Sequence, residues 1–389
     1  MRVTAVIAVL LLLAGPYLSA DEAPEEPSPP PVPAWPKYQH DLRNSGCTPL
    51  IGPSGPAVLW KYATGGSDLA SPAVGVDGVI YLTAGDRVVA LTPEGRTKWS
   101  YLAGPVGKSV PAIGPDGTIY VGTPVTGRLL AIPPEPAEDA VGTDGLLSFR
   151  WFFRCGEGIE CSPAVSRDGT IYFGDEAGTV YALHPDGTVA WRFEARERVS
   201  GCPAVGDDGT LYVCGVEMGW ALHALAPDGT QKWQAEPDFT FDFSPTIAPD
   251  GTVIVCSAWG ATSAYSPDGA KLWSSELPDG ALAASQPAVG PDGVLYIPCD
   301  NRRLYALSPT GEVLWQVETQ AQAVCPPIID GAGTVFLGTI DGWLYAVAPD
   351  GALRWRFDIG SAIGSSPVIA RDGLLLVAGR DGNLHAIGQ

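Results

Sequence analysis

Histidine occurs four times and methionine twice in 389 residues. That scarcity, set beside the other absences, leaves the familiar catalytic constellations largely missing. His40, His184, His223 and His385 include no pair at metal-ligand spacing. There is no G-x-S-x-G elbow, no Walker loop, no haem-attachment C-x-x-C-H, no complete EF-hand loop, and no two cysteines are adjacent. Carboxylate pairs such as Glu157 and Glu160 fall in a polar stretch and read as solvated surface. No catalytic residue and no metal ligand is therefore assigned. Positive charge is also short: 23 Lys and Arg against 43 Asp and Glu leave a net charge of −20. Nucleic acid and anionic membrane surfaces would be repelled. Beyond residue 20 no apolar run is long enough to span a bilayer, so no transmembrane segment is expected.

The N-terminus carries Arg2, an unbroken apolar run from Ala5 to Gly15, then Leu18, Ser19 and Ala20 before Asp21. This reads as a secretory signal peptide over residues 1–20, cleaved after Ala20. No cysteine lies near that junction, so lipid attachment is not indicated, and the expected location is periplasmic or extracellular. Residues 21–55 read as an acidic, Pro-rich linker and lead-in, beginning "DEAPEEPSPPPVPA". The eight cysteines suit an oxidising compartment.

What the chain has in abundance is turns, with 48 Gly and 37 Pro, and a repeat of about forty residues over 56–389. Its most regular mark is a tryptophan: Trp60, Trp99, Trp151, Trp191, Trp233, Trp273, Trp315 and Trp355. Twelve residues after most of them comes the Pro of a "SPAV"-like segment, nine further on a strand residue, and then a small one: Ala90, Ala131, Ala182, Ala224, Ala264, Ala306, Ala346 and Ala386. Pro287 comes two residues late, and an insertion lies at 133–148. Each unit holds short β-branched or aromatic runs separated by Gly-containing turns, which predicts four antiparallel strands, A to D, and so one propeller blade. No Trp follows Ala386 and no Ala stands nine residues before Trp60. The strand near 57–62 should therefore complete the last blade, giving an all-β, eight-bladed propeller closed by its two ends. The eight Trp are expected as buried fillers of the gaps between blades, with Ala making room for them.

The stretch "LYALSPTGEVLW" (304–315), repeated as "VYALHPDGTVAW" (180–191) and "LYAVAPDGALRW" (344–355), resembles the tryptophan-docking motif of the pyrroloquinoline-quinone-like β-propeller repeats. The resemblance covers 56–389, and the lead-in "WPKYQHDLRNSG" (35–46) is similar to the segment that often precedes such repeats. It implies either a BamB-like scaffold or a quinoprotein oxidoreductase carrying pyrroloquinoline quinone (PQQ) with Ca²⁺. The quinoprotein branch holds its quinone with two adjacent cysteines, which this sequence lacks, and BamB-type relatives are typically lipoproteins, which this chain does not resemble at its N-terminus. The reading taken forward is a non-enzymatic scaffold without a cofactor, expected as a monomer. The alternatives are a PQQ-dependent oxidoreductase and a glycan-binding or glycan-processing module.

Strand order puts the A–B and C–D turns on one rim and the B–C and D–A loops on the other. The turn rim carries Asp116, Asp168, Asp186, Asp228, Asp250, Asp268, Asp292 and Asp350, read as turn-forming residues before Gly. The loop rim gathers Trp220, Trp259 and Trp343, the basic pairs Arg196/Arg198 and Arg302/Arg303, and Phe239, Phe241 and Phe243 in "DFTFDF". Alternation would project the three Phe to one face. These residues are the candidate surface for a protein or glycan partner. On the same rim Cys202 and Cys214 should face each other across a hairpin and Cys155 and Cys161 bracket one D–A loop, so both pairs are expected as disulfides.

Overall fold

In the computed structural model the described residues are 34–66, 69–107, 109–135, 149–215, 221–235, 240–370 and 373–389. Each repeat folds as its pattern dictates. Blade three shows the unit: strand A is Ala164–Val165, B is Ile171–Gly174, C is Thr179–Leu183 and D is Val189–Glu194, paired antiparallel in that order. Strands B and C are buried throughout, and strand D alternates exposed and half-buried residues, which puts it at the perimeter. Among the described residues eight such four-stranded sheets form. The eighth consists of Val368–Ile369, Leu375–Ala378, Asn383–Gly388 and, as its outermost strand, Ala57–Ala63. The two ends of the propeller thus share one sheet, with Trp60 opposite Ala386.

Each of the other tryptophans likewise stands opposite its alanine on the neighbouring strand. Trp99 faces Ala90, Trp151 faces Ala131, Trp191 faces Ala182 and Trp233 faces Ala224. Trp273, Trp315 and Trp355 face Ala264, Ala306 and Ala346. Every indole except that of Trp355 then reaches toward the C–D turn of the next blade, where its Nε1 donates to a proline carbonyl at 2.7–3.1 Å. Trp60 bonds Pro93, Trp99 bonds Pro134, Trp151 bonds Pro185 and Trp191 bonds Pro227. Trp233, Trp273 and Trp315 bond Pro267, Pro309 and Pro349.

The burial of these rings corrects the sequence reading. Trp60, Trp99, Trp151, Trp191, Trp233, Trp273, Trp315 and Trp355 are half-buried, not buried. They sit on the perimeter strand D, so they close each gap from its outer end, where one part of the indole stays wet. Trp315 also lies against Gly351, whose φ of 87° and lack of a side chain are both required: a Cβ would sit 3.0 Å from the indole. For Trp60, Trp151, Trp191, Trp233, Trp273 and Trp315 the room therefore comes from a glycine across the gap as well as from the alanine beside the ring. Trp355 has no downstream C–D turn to use and bonds Pro53, so the "GPSG" segment at 52–55 supplies the missing turn of blade eight.

The lead-in runs along the inner ends of the A strands. Trp35 pairs with Val74 of blade one. Its successors accept the strand-A amides of blade after blade: Ile113 to Pro36, Val205 to Leu42, Ile247 to Arg43, Val289 to Ser45 and Ile329 to Gly46, all at 2.7–2.8 Å. Two-residue strands at a propeller axis have no further strand to pair with, and this segment satisfies their outward-facing amides.

Both expected disulfides are absent: all eight cysteines are free thiols. The A–B ladder of blade four ends at Ala204 and Tyr212, before it reaches the cysteines. Cys202 turns to the axis, where its sulfur accepts the Ser162 amide at 3.4 Å, and Cys214 packs in the layer between blades four and five. Cys155 donates to the Gly127 carbonyl at 3.1 Å and Cys161 to that of Gly174 at 3.4 Å, so this pair faces two different blades. No helix among the described residues is long and apolar enough to cross a membrane.

Candidate functional site

The residue just before each "SPAV"-type proline ends a D–A loop, and from blade two to blade five those residues are linked in an arc along the inner ring. The Val110 amide donates to Ser162 Oγ at 2.8 Å, that of Ser162 to Cys202 Sγ at 3.4 Å, and that of Cys202 to Ser244 Oγ at 2.8 Å, stapling blades two to five edge to edge. Above the ring opens a cavity of about 230 Å³ at the mouth of the axial channel. Tyr38 of the lead-in lines it, with Ser200 and Gly201 from the D–A loop of blade four and Phe243 from that of blade five. Burial, together with the Cys202 and Cys325 thiols beside it, holds the Tyr38 phenol well above its ordinary range.

Beneath the mouth Lys37 is buried, and its ammonium donates to the Tyr38 carbonyl at 3.1 Å, to the Asp41 carbonyl at 2.9 Å and to Asn44 Oδ1. Burial lowers its pKa to about 8 against weaker pulls upward from Cys202 and Asp41. Asn44, fully buried, donates to the carbonyls of Cys202 (3.1 Å) and Pro245 (3.0 Å), while its own backbone carbonyl accepts from Gln286 Nε2 at 3.3 Å. The lead-in is thereby bolted across the channel below Tyr38.

Two carboxylates edge the mouth, Glu160 and Asp242. Arg198 reaches Glu160 at 2.6 Å and Glu176 at 2.8 Å. Asp242 Oδ2 accepts from Thr240 Oγ1 (2.6 Å) and the Ala258 amide (2.8 Å), tying the D–A loop to the adjoining B–C loop. That B–C loop carries Trp259, 70% exposed.

The other expected rim residues disperse. Phe241 is buried at 2% in the layer between blades four and five, whereas Phe243 packs into that between blades five and six and reaches the mouth, so these two do not share a face. Arg196 and Arg302 have φ of 67° and 63° on the loop rim. Arg303 lies 3.4 Å from Asp279, and Trp343 is half-buried with the Arg356 guanidinium 4.6 Å above its ring. Trp220 and Phe239 lie outside the described residues. Of the expected set, the structure brings Phe243 to the mouth and sets Arg198 behind it, against Glu160. The residues that the sequence reading missed are Tyr38, Lys37, Asn44 and Gln286; the one signal was the displaced "QPAV" at 286–289, where Gln stands in place of Ser. On the opposite rim the aspartates cap their turns, as Asp168 and Asp350 do by accepting amides two residues on at 3.0 Å. The Ser166 hydroxyl and the Thr170 amide hold the Asp168 carboxyl below its usual range.

PQQ is a planar tricarboxylate, and the mouth does not fit it. The residues lining the cavity include two carboxylates and no Lys or Arg, and the volume is below the range usual for whole cofactors. Among the described residues no group of three or more His, Cys, Asp or Glu is placed to hold a metal ion.

The family model described as outer membrane protein assembly factor BamB matches residues 150–261, 176–316 and 259–342. No curated protein matches. Among solved structures, BamB from Moraxella catarrhalis is 17% identical with a TM-score of 0.67, over 86% of this chain and 100% of that one. Quinohemoprotein alcohol dehydrogenase from Comamonas testosteroni is 16% identical with a TM-score of 0.74, over 92% and 81%. A europium-containing methanol dehydrogenase is 14% identical with a TM-score of 0.72, over 92% and 98%. At such identities the likeness shows the fold alone.

Proposed function

The chain belongs to the PQQ/BamB-like repeat superfamily of eight-bladed β-propellers, and on that premise we propose that it is a secreted or periplasmic, non-enzymatic scaffold whose loop rim docks a protein partner. The observation that carries this reading is Trp259, held 70% exposed on a B–C loop that Asp242 fastens to the channel mouth. Exposed tryptophan is uncommon, and tryptophan is among the residues that most often dominate binding energy at protein interfaces. The loop is braced on a rigid ring, so little ordering entropy is lost when a partner lands. The absence of a nucleophile–base constellation from the sequence and the acidic, bolted mouth favour docking over quinone chemistry.

Photo-cross-linking tests the reading. A benzoylphenylalanine at position 259, in the secreting host, is expected to give one discrete protein adduct, and the same label at exposed Asp250 on the turn rim none. Equal labelling at both positions, or no adduct at 259, would sink it. A tight, stoichiometric rise in melting temperature on adding PQQ with Ca²⁺ would instead favour the oxidoreductase.

A further inference from the structure

Gln286 is 1% exposed and lines the channel mouth, yet its Oε1 has no hydrogen-bond donor among the described residues. The orientation of this amide is fixed by its other end. Nε2 donates to the Asn44 carbonyl at 3.3 Å, an atom that can only accept, and to Thr246 Oγ1 at 2.9 Å. The end left over is therefore an acceptor, and a buried acceptor without a donor calls for an explanation, which a donor entering from the adjoining cavity would supply.

Its surroundings specify that donor. The carboxylates of Glu160 and Asp242 line the mouth with no Lys or Arg beside them in the lining, and the guanidinium of Arg198 that reaches Glu160 is shared with Glu176. Asp242, which lines the cavity, makes its loop contacts through Oδ2, so Oδ1 is not engaged in them. The nearby ammonium of Lys37 is spent on three acceptors within the lead-in. The rings of Tyr38 and Phe243 add faces on which a cation can rest. A volume of about 230 Å³ is small for a whole organic cofactor and ample for one long side chain.

We infer that the mouth receives a single basic side chain, an arginine or lysine, from the protein that docks on the rim, with its N–H groups directed to Gln286 Oε1 and Asp242. The inference rests on the docking reading for the source of that side chain, but the pocket chemistry can be tested without any partner. The probe is ethylguanidinium chloride, compared with N-ethylurea, which has nearly the same shape and no charge, and with methyl glucoside. Each is titrated into the full chain while the amide signals of Gly201 and Ser244 and the side-chain amide of Gln286 are followed by NMR. Ethylguanidinium should produce saturable shifts at these positions, N-ethylurea shifts at least about tenfold weaker in affinity, and Glu160→Gln with Asp242→Asn about a tenfold loss. If that double variant does not fold, the contrast between the two probes on the natural chain still decides. Equal response to the urea, saturation by the glucoside alone, or no response at the mouth would each overturn the inference. A silent mouth beside a successful cross-link at 259 removes this inference only, and a responsive mouth without an adduct at 259 removes the docking reading only.

Discussion

Trp315 shows at the scale of one residue how the propeller is held. Its ring closes the gap between blades six and seven while its Nε1 binds a carbonyl across that gap. Trp315→Ala is expected to destabilise the protein by about 3 kcal/mol, the low end for a tryptophan because the ring is half-buried. Trp315→Phe, which keeps most of the ring and loses the hydrogen bond, should cost about 1 kcal/mol. Denaturant melts of both variants check the order. The thiols give a second residue-scale expectation. Denatured without reductant, the protein should titrate eight thiols with a chromogenic disulfide reagent. In the native state Cys47, the half-buried one, should react first. Burial pushes the thiols of Cys155, Cys256 and Cys325 from an ordinary 9 up to about 12. Such a thiol stays protonated in the fold while the unfolded chain loses its proton. The stability it contributes is therefore intact below pH 9 and lost as pH rises toward 12, at about 1.4 kcal/mol per thiol per pH unit. Lys37, lowered from 10.5 to about 8, works the other way between those values, one group against several. Melting temperature should fall steeply above pH 9; a flat profile to pH 11 would contradict the burial of these groups.

At the scale of elements, the blade strands and their closure were legible because they repeat. A Trp, a Pro, an aromatic and an Ala recurring at fixed spacing determine strand order, and one unmatched Ala386 is enough to assign Ala57–Ala63 to the last sheet. The lead-in occurs once, so no internal comparison reveals it. Its polar run from Lys37 to Thr48 reads as a solvated linker until the inner strands are seen to need partners for their amides. The disulfide expectation failed for a related reason. Position along a hairpin placed Cys202 and Cys214 opposite each other, but strand A is two residues long and the chain leaves the ladder before Cys202. Asn44→Ala removes the side chain's bonds to the Cys202 and Pro245 carbonyls and one of the three acceptors of buried Lys37. It should cost about 2–3 kcal/mol, from two buried carbonyls left without a donor and an ammonium that keeps only the Tyr38 and Asp41 carbonyls. The same measurement on Asp250→Ala, which serves one exposed turn, should show less than about 1 kcal/mol.

For the molecule as a whole, a ring with its ends zipped into one sheet and its axis bolted by a single segment has no blade free to open alone. Rigidity of that kind makes a platform, on which the scaffold keeps Trp259 and the acidic mouth in fixed relation. The central claim is that closure and axial segment make the eight sheets one cooperative body, and native-state hydrogen exchange tests it most directly. The account predicts that amides of Ala57–Ala63 and of Val205, Ile247, Val289 and Ile329 exchange with the same opening free energy and the same denaturant dependence as strands B and C of blade four. Exchange of Ala57–Ala63, or of those four inner amides, through a separate low-energy opening while blade four stays protected would contradict it.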